Sequence, residues 1–220
     1  FLFAFDFLSI YERKNPKGLL DAFRRAFSPE EDVWLVLKSI NAESYPLARM
    51  ELEEAARGLK VKFLDGVLSR PEMWGLSRAC DAYVSLHRSE GWGLSLAQVM
   101  GLAKPVIATG YSGNMDFMDE TNSFPVPYRL VELDEDYGPY TRGSVWADPD
   151  LDAAADRMRL VYENRALAAS RAQKAWHDIR TRMSPHAAGQ EMRDRLARLA
   201  GEAALQTAPE NPSEKAEVPL

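Results

Sequence analysis

Apolar runs rich in β-branched and aromatic residues alternate with helix-periodic stretches through the first half of the chain. FLFAFDF precedes a helical pattern at 16–28, VWLVLKSI one at 45–57, VKFLDGV one at 71–79, AYVSLH one at 93–102, and PVIAT a short one at about 113–118. Strands alternating with helices predict crossover connections and a parallel sheet. The strand runs are almost continuously apolar, as a sheet covered on both faces requires. The predicted fold class is therefore α/β, a Rossmann-like parallel sheet with helices on both faces. After Asn122 the pattern loosens, and VPYRLVELDEDYGPYTRGSVWADPD reads as an ordered loop anchored by Tyr128, Tyr137, Tyr140 and Trp146. Three helices follow: 150–163, capped by Asp148 or Asp150 and apolar at Leu151, Ala154, Ala155, Met158, Val161 and Tyr162, then 165–182, then 185 to about 200. From Gly201 the segment GEAALQTAPENPSEKAEVPL is poor in large apolar groups, which predicts a folded domain over 1–200 and a disordered acidic tail over 201–220. An apolar strand at residue 1 reads as a fold entered part-way, with a preceding segment removed or absent.

Composition narrows the class without naming a chemistry. A chain 46% hydrophobic, 27% charged and 10% aromatic is a globular protein, not a disordered or collagenous one. The formal charge of −6, from 27 basic against 33 acidic residues, argues against the basic footprint of a nucleic-acid binder. No apolar run approaches the roughly 18 residues of a membrane span, and FLFAFDFLSI, interrupted by Asp6, is neither a span nor a signal peptide. The single Cys80 makes no internal disulfide, zinc site or redox pair.

Two stretches carry candidate chemistry. In SLHRSEGWGLSLAQVMGLAKPVIATGYSGN, Ser85 to Asn114, a strand ends at His87, a short loop holds Glu90, Gly91 and Gly93, and a helix begins near Leu94. Glycines at a helix entrance let a ligand approach the backbone, and the N–H groups of Trp92 to Leu96 suit a diphosphate. Glu90 is a poor neighbour for phosphate and a good acceptor for sugar hydroxyls, and Gln98, inside the helix, reaches a ribose from the same face. The same residues also fit an ordinary strand-to-helix turn. In SIYERKNPKG, the cations Arg13, Lys14 and Lys17 follow the first strand at the carboxyl edge where open parallel sheets bind ligands, or else form a solvated loop ahead of a helix. His87 either orients Glu90 and touches ligand or is structural. Lys38, at the end of the second strand, is a further candidate for the cleft. His177 and His186 read as structural, and Asp134 to Asp136 lack the ladder of a calcium loop.

The Ser85 to Asn114 stretch resembles the nucleotide-sugar signature of family 4 (group 1) retaining glycosyltransferases, in which a Glu, seven residues and a second Glu lead into a small-residue turn and a K-P-V-I-A-T strand. The order of a cationic segment after the first strand, the Phe63 to Pro71 strand and turn, C-D-A-Y-V and W-A-D-P-D-L agrees, over roughly residues 2–195. The resemblance implies the C-terminal, donor-binding half of a GT-B fold, with the N-terminal acceptor domain absent from this chain. It implies that Glu90 meets the donor hexose and that Arg13 and Lys14 balance the diphosphate, with Lys17 a rival. It places Gly91, Trp92, Gly93 and Leu94 against sugar or phosphate, Gln98 on the ribose, Val67 and Leu68 on the base through their backbone, and His87 and Gly113 beside the site. Gln98 stands where members usually have Glu, and FDFLS ends the strand where they often have Gly-Arg. The implied donors are GDP-mannose or a UDP-hexose, and the implied acceptor is carbohydrate or lipid-linked. No metal or other cofactor is implied, and the implied location is cytoplasmic, with any attachment to the inner membrane face lying in the absent half. A noncatalytic nucleotide-sugar-binding module is the alternative. An oxidoreductase is disfavoured because no G-x-G-x-x-G follows the first strand, and an epimerase of similar fold is a minor further reading.

Overall fold

The computed structural model describes residues 1–207, with side chains described as far as Gly201. Six parallel strands form the sheet, in the order β3-β2-β1-β4-β5-β6. They are β1 (Leu2–Asp6), β2 (Leu35–Ile40), β3 (Val61–Asp65), β4 (Tyr83–Ser85), β5 (Val106–Thr109) and β6 (Phe124–Val126). The middle of this sheet is covered on both faces: Phe3, Leu35, Leu37, Val84, Val106 and Ile107 are all buried. That is why their sequence runs are continuously apolar.

The helices are α1 (Tyr11–Lys14), α2 (Pro16–Ala26), α3 (Pro46–Ala55), α4 (Arg70–Ala79), α5 (Leu94–Met100), α6 (Leu151–Glu163), α7 (Arg165–Arg182) and α8 (Pro185–Thr207). Local chemistry sets their starts. Asn15, in the left-handed region at φ 54°, ends α1 and caps α2 by accepting from the Gly18 N–H. Ser69 and Glu72 form a capping box at α4. Asp150, and not Asp148, caps α6, accepting from Asp152 and Ala153.

Three expectations change. The stretch after Asn122 contributes strands: β6 is the sixth member of the sheet, and β7 (Tyr128–Glu132) pairs antiparallel with β8 (Val145–Pro149). Pro125 sits in an edge strand and β7 faces solvent at most positions, so neither shows the apolar signature of a central strand. The tyrosines do act as anchors: Tyr137 and Tyr140 pack on Trp146 with ring centroids 5.0 and 6.1 Å away, and Tyr128 packs on Tyr111 at 5.0 Å. The helix expected near 113–118 is a 3-10 turn, Gly113–Asp116. The boundary at 200 also moves. Phe1–Arg180 forms one compact unit and Thr181 begins another, in which α8 continues to Thr207. Residues 208–220 of the expected tail lie outside the described residues.

Candidate functional site

The strand order reverses direction between β1 and β4, and open α/β sheets bind ligands at the carboxyl ends of the strands flanking that point. Both candidate stretches emerge there. After β1, Asp6 accepts from the Leu8 N–H at 2.9 Å and from Asn41 Nδ2 at 2.8 Å, turning the chain into a 3-10 segment, Phe7–Ser9. Ile10, at φ 63°, then enters α1. The β4 loop returns alongside: the Arg88 N–H donates to the Arg13 carbonyl at 2.8 Å.

Glu90 is thereby brought onto the basic pair. Lys14 Nζ donates to Glu90 Oε2 at 2.7 Å, and Arg13 Nη1 lies 3.6 Å from the same oxygen. Arg13 also donates to the carbonyls of Ser89 at 2.6 Å and Ser9 at 3.1 Å. Burial alone pushes the Glu90 carboxyl up, but the hydrogen bond and charge of Lys14, then Arg13 and His87, outweigh it and hold the group below its ordinary value. The backbone of Glu90 is fixed independently. Its carbonyl accepts from Ser112 Oγ at 2.6 Å and from the Gly113 N–H at 3.1 Å, and its own N–H donates to Ser112 Oγ at 3.3 Å. Gly113 is required for this approach, because a Cβ there would stand 2.0 Å from the Gly91 carbonyl oxygen.

His87 faces inward. It is fully buried, with Nδ1 3.1 Å from Ser85 Oγ and Nε2 3.1 Å from Asn114 Oδ1 and 3.3 Å from the Tyr111 carbonyl. Its ring therefore braces the turn that holds Glu90 and presents no edge to a ligand. Burial pushes its pKa down, against the opposing pull of Glu90. Gly93, at φ 92°, opens α5 without a side-chain cap, and Trp92 packs on Phe117 with centroids 5.1 Å apart. Gly91, Trp92, Leu94 and Gln98 are exposed on this loop and helix.

A cavity of about 340 Å³ runs across the ends of β1 and β2, and Ser9, Lys14, Lys38, Val67, Leu68 and Met73 are among the residues that line it. Val67 is 87% exposed. The structure thus brings together Arg13, Lys14, Glu90, Gly91 and Gly113, and places Val67 and Leu68 at the neighbouring cavity. It does not bring Lys17 to the cluster: that side chain pairs with Glu51 on the outside of α2 and α3.

Arg88 carried no signal in the sequence. It donates to the Glu12 carbonyl at 3.0 Å, pairs with Asp148 at 3.5 Å and lies over the Trp146 ring at 5.2 Å, while its carbonyl accepts from the Ala147 N–H at 2.9 Å. It ties α1, the Glu90 loop and β8 together. Ser112 was missed for the same reason: its partner is 22 positions away.

Comparison with known proteins decides the family. The sequence model for Glycosyl transferases group 1 matches residues 8–178. The chain belongs to that family. No curated protein matches it in sequence. Among solved structures, this group 1 glycosyltransferase chain is similar to Anabaena Alr3699/HepE in complex with UDP and glucose, with a TM-score of 0.66, 20% identity, and coverage of 90% of this chain and 48% of that one. It is also similar to the C-terminal domain of the group 1 family protein LpcC from Francisella tularensis, with a TM-score of 0.60, 17% identity, and coverage of 84% and 85%. At these identities the likeness establishes the fold, a Rossmann-like GT-B half. This group 1 chain spans about half the length of HepE and most of the LpcC domain.

Proposed function

We propose that this chain is the donor-binding half of a retaining hexosyltransferase, taking a hexose from GDP-mannose or a UDP-hexose to a carbohydrate or lipid-linked acceptor. The observation that carries the reading is the Lys14–Glu90–Arg13 cluster at the switch point of a group 1 chain. Two cations and one carboxylate meet the two chemistries of a nucleotide sugar: acceptor-rich phosphates and donor-rich hydroxyls. Arg13 and Lys14 hold the diphosphate and stabilise the charge that grows on it as the glycosidic bond breaks, and Glu90 accepts from the sugar hydroxyls. The cationic pair supports catalysis that needs no metal. An N-terminal domain packed across the cleft completes the acceptor site, so the isolated chain binds donor weakly and transfers little. The expected location is cytoplasmic. HepE, seen with UDP and glucose, supports a nucleotide-sugar ligand.

Calorimetric titration of the chain with UDP, GDP and their sugars, with and without magnesium, tests this. Magnesium-independent binding of one nucleoside diphosphate is expected, weakened by Lys14→Ala, with Glu90→Ala weakening only the sugar-bearing ligand. Binding indifferent to Lys14→Ala would sink the proposal. One observation favours a noncatalytic nucleotide-sugar module instead: Gln98 offers α5 no carboxylate. Transfer by the full-length protein separates the two.

A further inference from the structure

Lys38 ends its strand in an unusual setting. It is 5% exposed, yet its side chain lines the cavity beside Lys14. Its ammonium donates to the Ser39 carbonyl at 2.6 Å and to the Gly66 carbonyl. Asp65, a carboxylate whose charge acts on it, accepts from Ser39 Oγ at 2.8 Å. Asp6, the carboxylate lining the cavity, is taken up by Leu8 and Asn41.

An ammonium has three N–H donors, and two of those on Lys38 are spent on backbone carbonyls. The third has no partner among the described residues. The Gly66 carbonyl belongs to the peptide that leads into Val67, so the ammonium lies beside the Val67–Leu68 wall of the cavity. Lys14, whose ammonium is bonded to Glu90, also lines it. A ligand with an anionic end and a flat, weakly polar end is oriented by that polarity: phosphates toward Lys14, heteroaromatic ring toward Val67. The ring edge then meets the remaining N–H of Lys38. A carbonyl oxygen there gains a charge-assisted hydrogen bond, whereas an amino group sets donor against donor.

We propose that Lys38 is a specificity-determining residue that selects a nucleobase with a carbonyl at C4 of a pyrimidine or C6 of a purine, uracil or guanine, and rejects cytosine and adenine, which carry an amino group at that position. The inference rests on the nucleotide-sugar reading of the site. Its test is a calorimetric comparison of UDP with CDP, and of GDP with ADP, on the chain and on Lys38→Met. The unaltered chain should prefer the carbonyl base of its favoured pair by about tenfold or more. Lys38→Met should weaken the carbonyl base and strengthen the amino base, collapsing the ratio, while pyrophosphate, which engages Lys14, binds as before. Equal loss for both bases would mark a merely structural lysine and overturn the proposal, as would a ratio that survives the substitution. Should Lys38→Met not fold, 4-thio-UDP or 6-thio-GDP on the unaltered chain replaces it. The poor acceptor sulfur must weaken binding, and equal affinity refutes the proposal. Binding that depends on Lys14 but ignores the base removes this inference alone; no binding of any nucleoside diphosphate removes both readings.

Discussion

Replacing Gly113 by alanine should break the loop that presents Glu90, and the size of the effect follows from distances. The added methyl would stand 2.0 Å from the Gly91 carbonyl oxygen, 2.7 Å from its carbon and 3.0 Å from Trp92 Cα, all of them backbone atoms. No side-chain rotation relieves that, so the 112–113 turn and the Gly91–Trp92 segment must part by an ångström or more. Overpacking of this kind costs about 1–3 kcal/mol. Separation also removes the bonds from Ser112 Oγ and the Gly113 N–H to the Glu90 carbonyl, at about 1 kcal/mol each. A loss of about 3–5 kcal/mol, or a melting temperature lower by roughly 6–20 °C for a chain of this length, is expected. Gly91 is the control in the same loop: its φ is not positive and a Cβ there meets nothing within 4 Å. Gly91→Ala should leave stability unchanged or raise it by up to about 1 kcal/mol. Urea unfolding followed by circular dichroism measures both, and UDP calorimetry reports whether Glu90 and Lys14 still stand together. A Gly113→Ala chain as stable as its parent, or a Gly91→Ala chain equally damaged, would refute the close-approach argument.

Arg88→Ala should cost about 2–4 kcal/mol in urea unfolding, from its bonds to Glu12 and Asp148 and its contact with Trp146, and should weaken UDP. Arg88→Lys, which keeps the charge but not the fork, should recover only part, and full recovery would mean that charge alone matters. Acid should destabilise the chain through two groups of the same sign. The His87 pKa is depressed by burial, so the unfolded chain binds its proton first and stability falls as pH drops below about 6.5. The Glu90 pKa is depressed by its cations against burial, so its contribution is present above about pH 4.3 and is lost as pH falls through the folded value. Urea midpoints measured across this range check both, and His87→Gln should flatten only the upper slope; an unchanged slope would show that His87 is not the titrating group.

Repetition of apolar runs made the first five strands and their helices legible, because the doubly covered middle of a parallel sheet writes its burial directly into composition. The sixth strand was hidden by Pro125, and the β7–β8 pair by its exposure, since Leu130 and Val145 face outward. In the site, glycine spacing around Glu90 and the cations after β1 were visible as residue types at a sheet edge. Which cation belongs to Glu90 was not, because Arg13, Lys14 and Lys17 lie within five positions of one another and only the left-handed turn at Asn15 separates Lys14 from Lys17. On one side of that turn Lys14 meets Glu90, and on the other Lys17 meets Glu51. The partners of Arg88, Ser112 and His87 Nε2 were not legible, because each lies far away in the chain.

The two ways in which Glu90 is held bear on how such a site would work. Its backbone is bound by neutral groups of the 112–113 turn, which a ligand has no reason to disturb, whereas its carboxylate is bound by Lys14, the cation a diphosphate would recruit. On the proposed reading, donor binding therefore exchanges partners: Lys14 moves to phosphate oxygens and Glu90 to sugar hydroxyls. A half-buried carboxylate stripped of its cation is costly, and the hydroxyls of the sugar relieve that cost. A nucleoside diphosphate without sugar draws Lys14 away and leaves Glu90 only the longer contact to Arg13, at 3.6 Å. The ion pair thus couples the phosphate and sugar subsites, so that a complete nucleotide sugar leaves both charges partnered where the nucleotide alone does not.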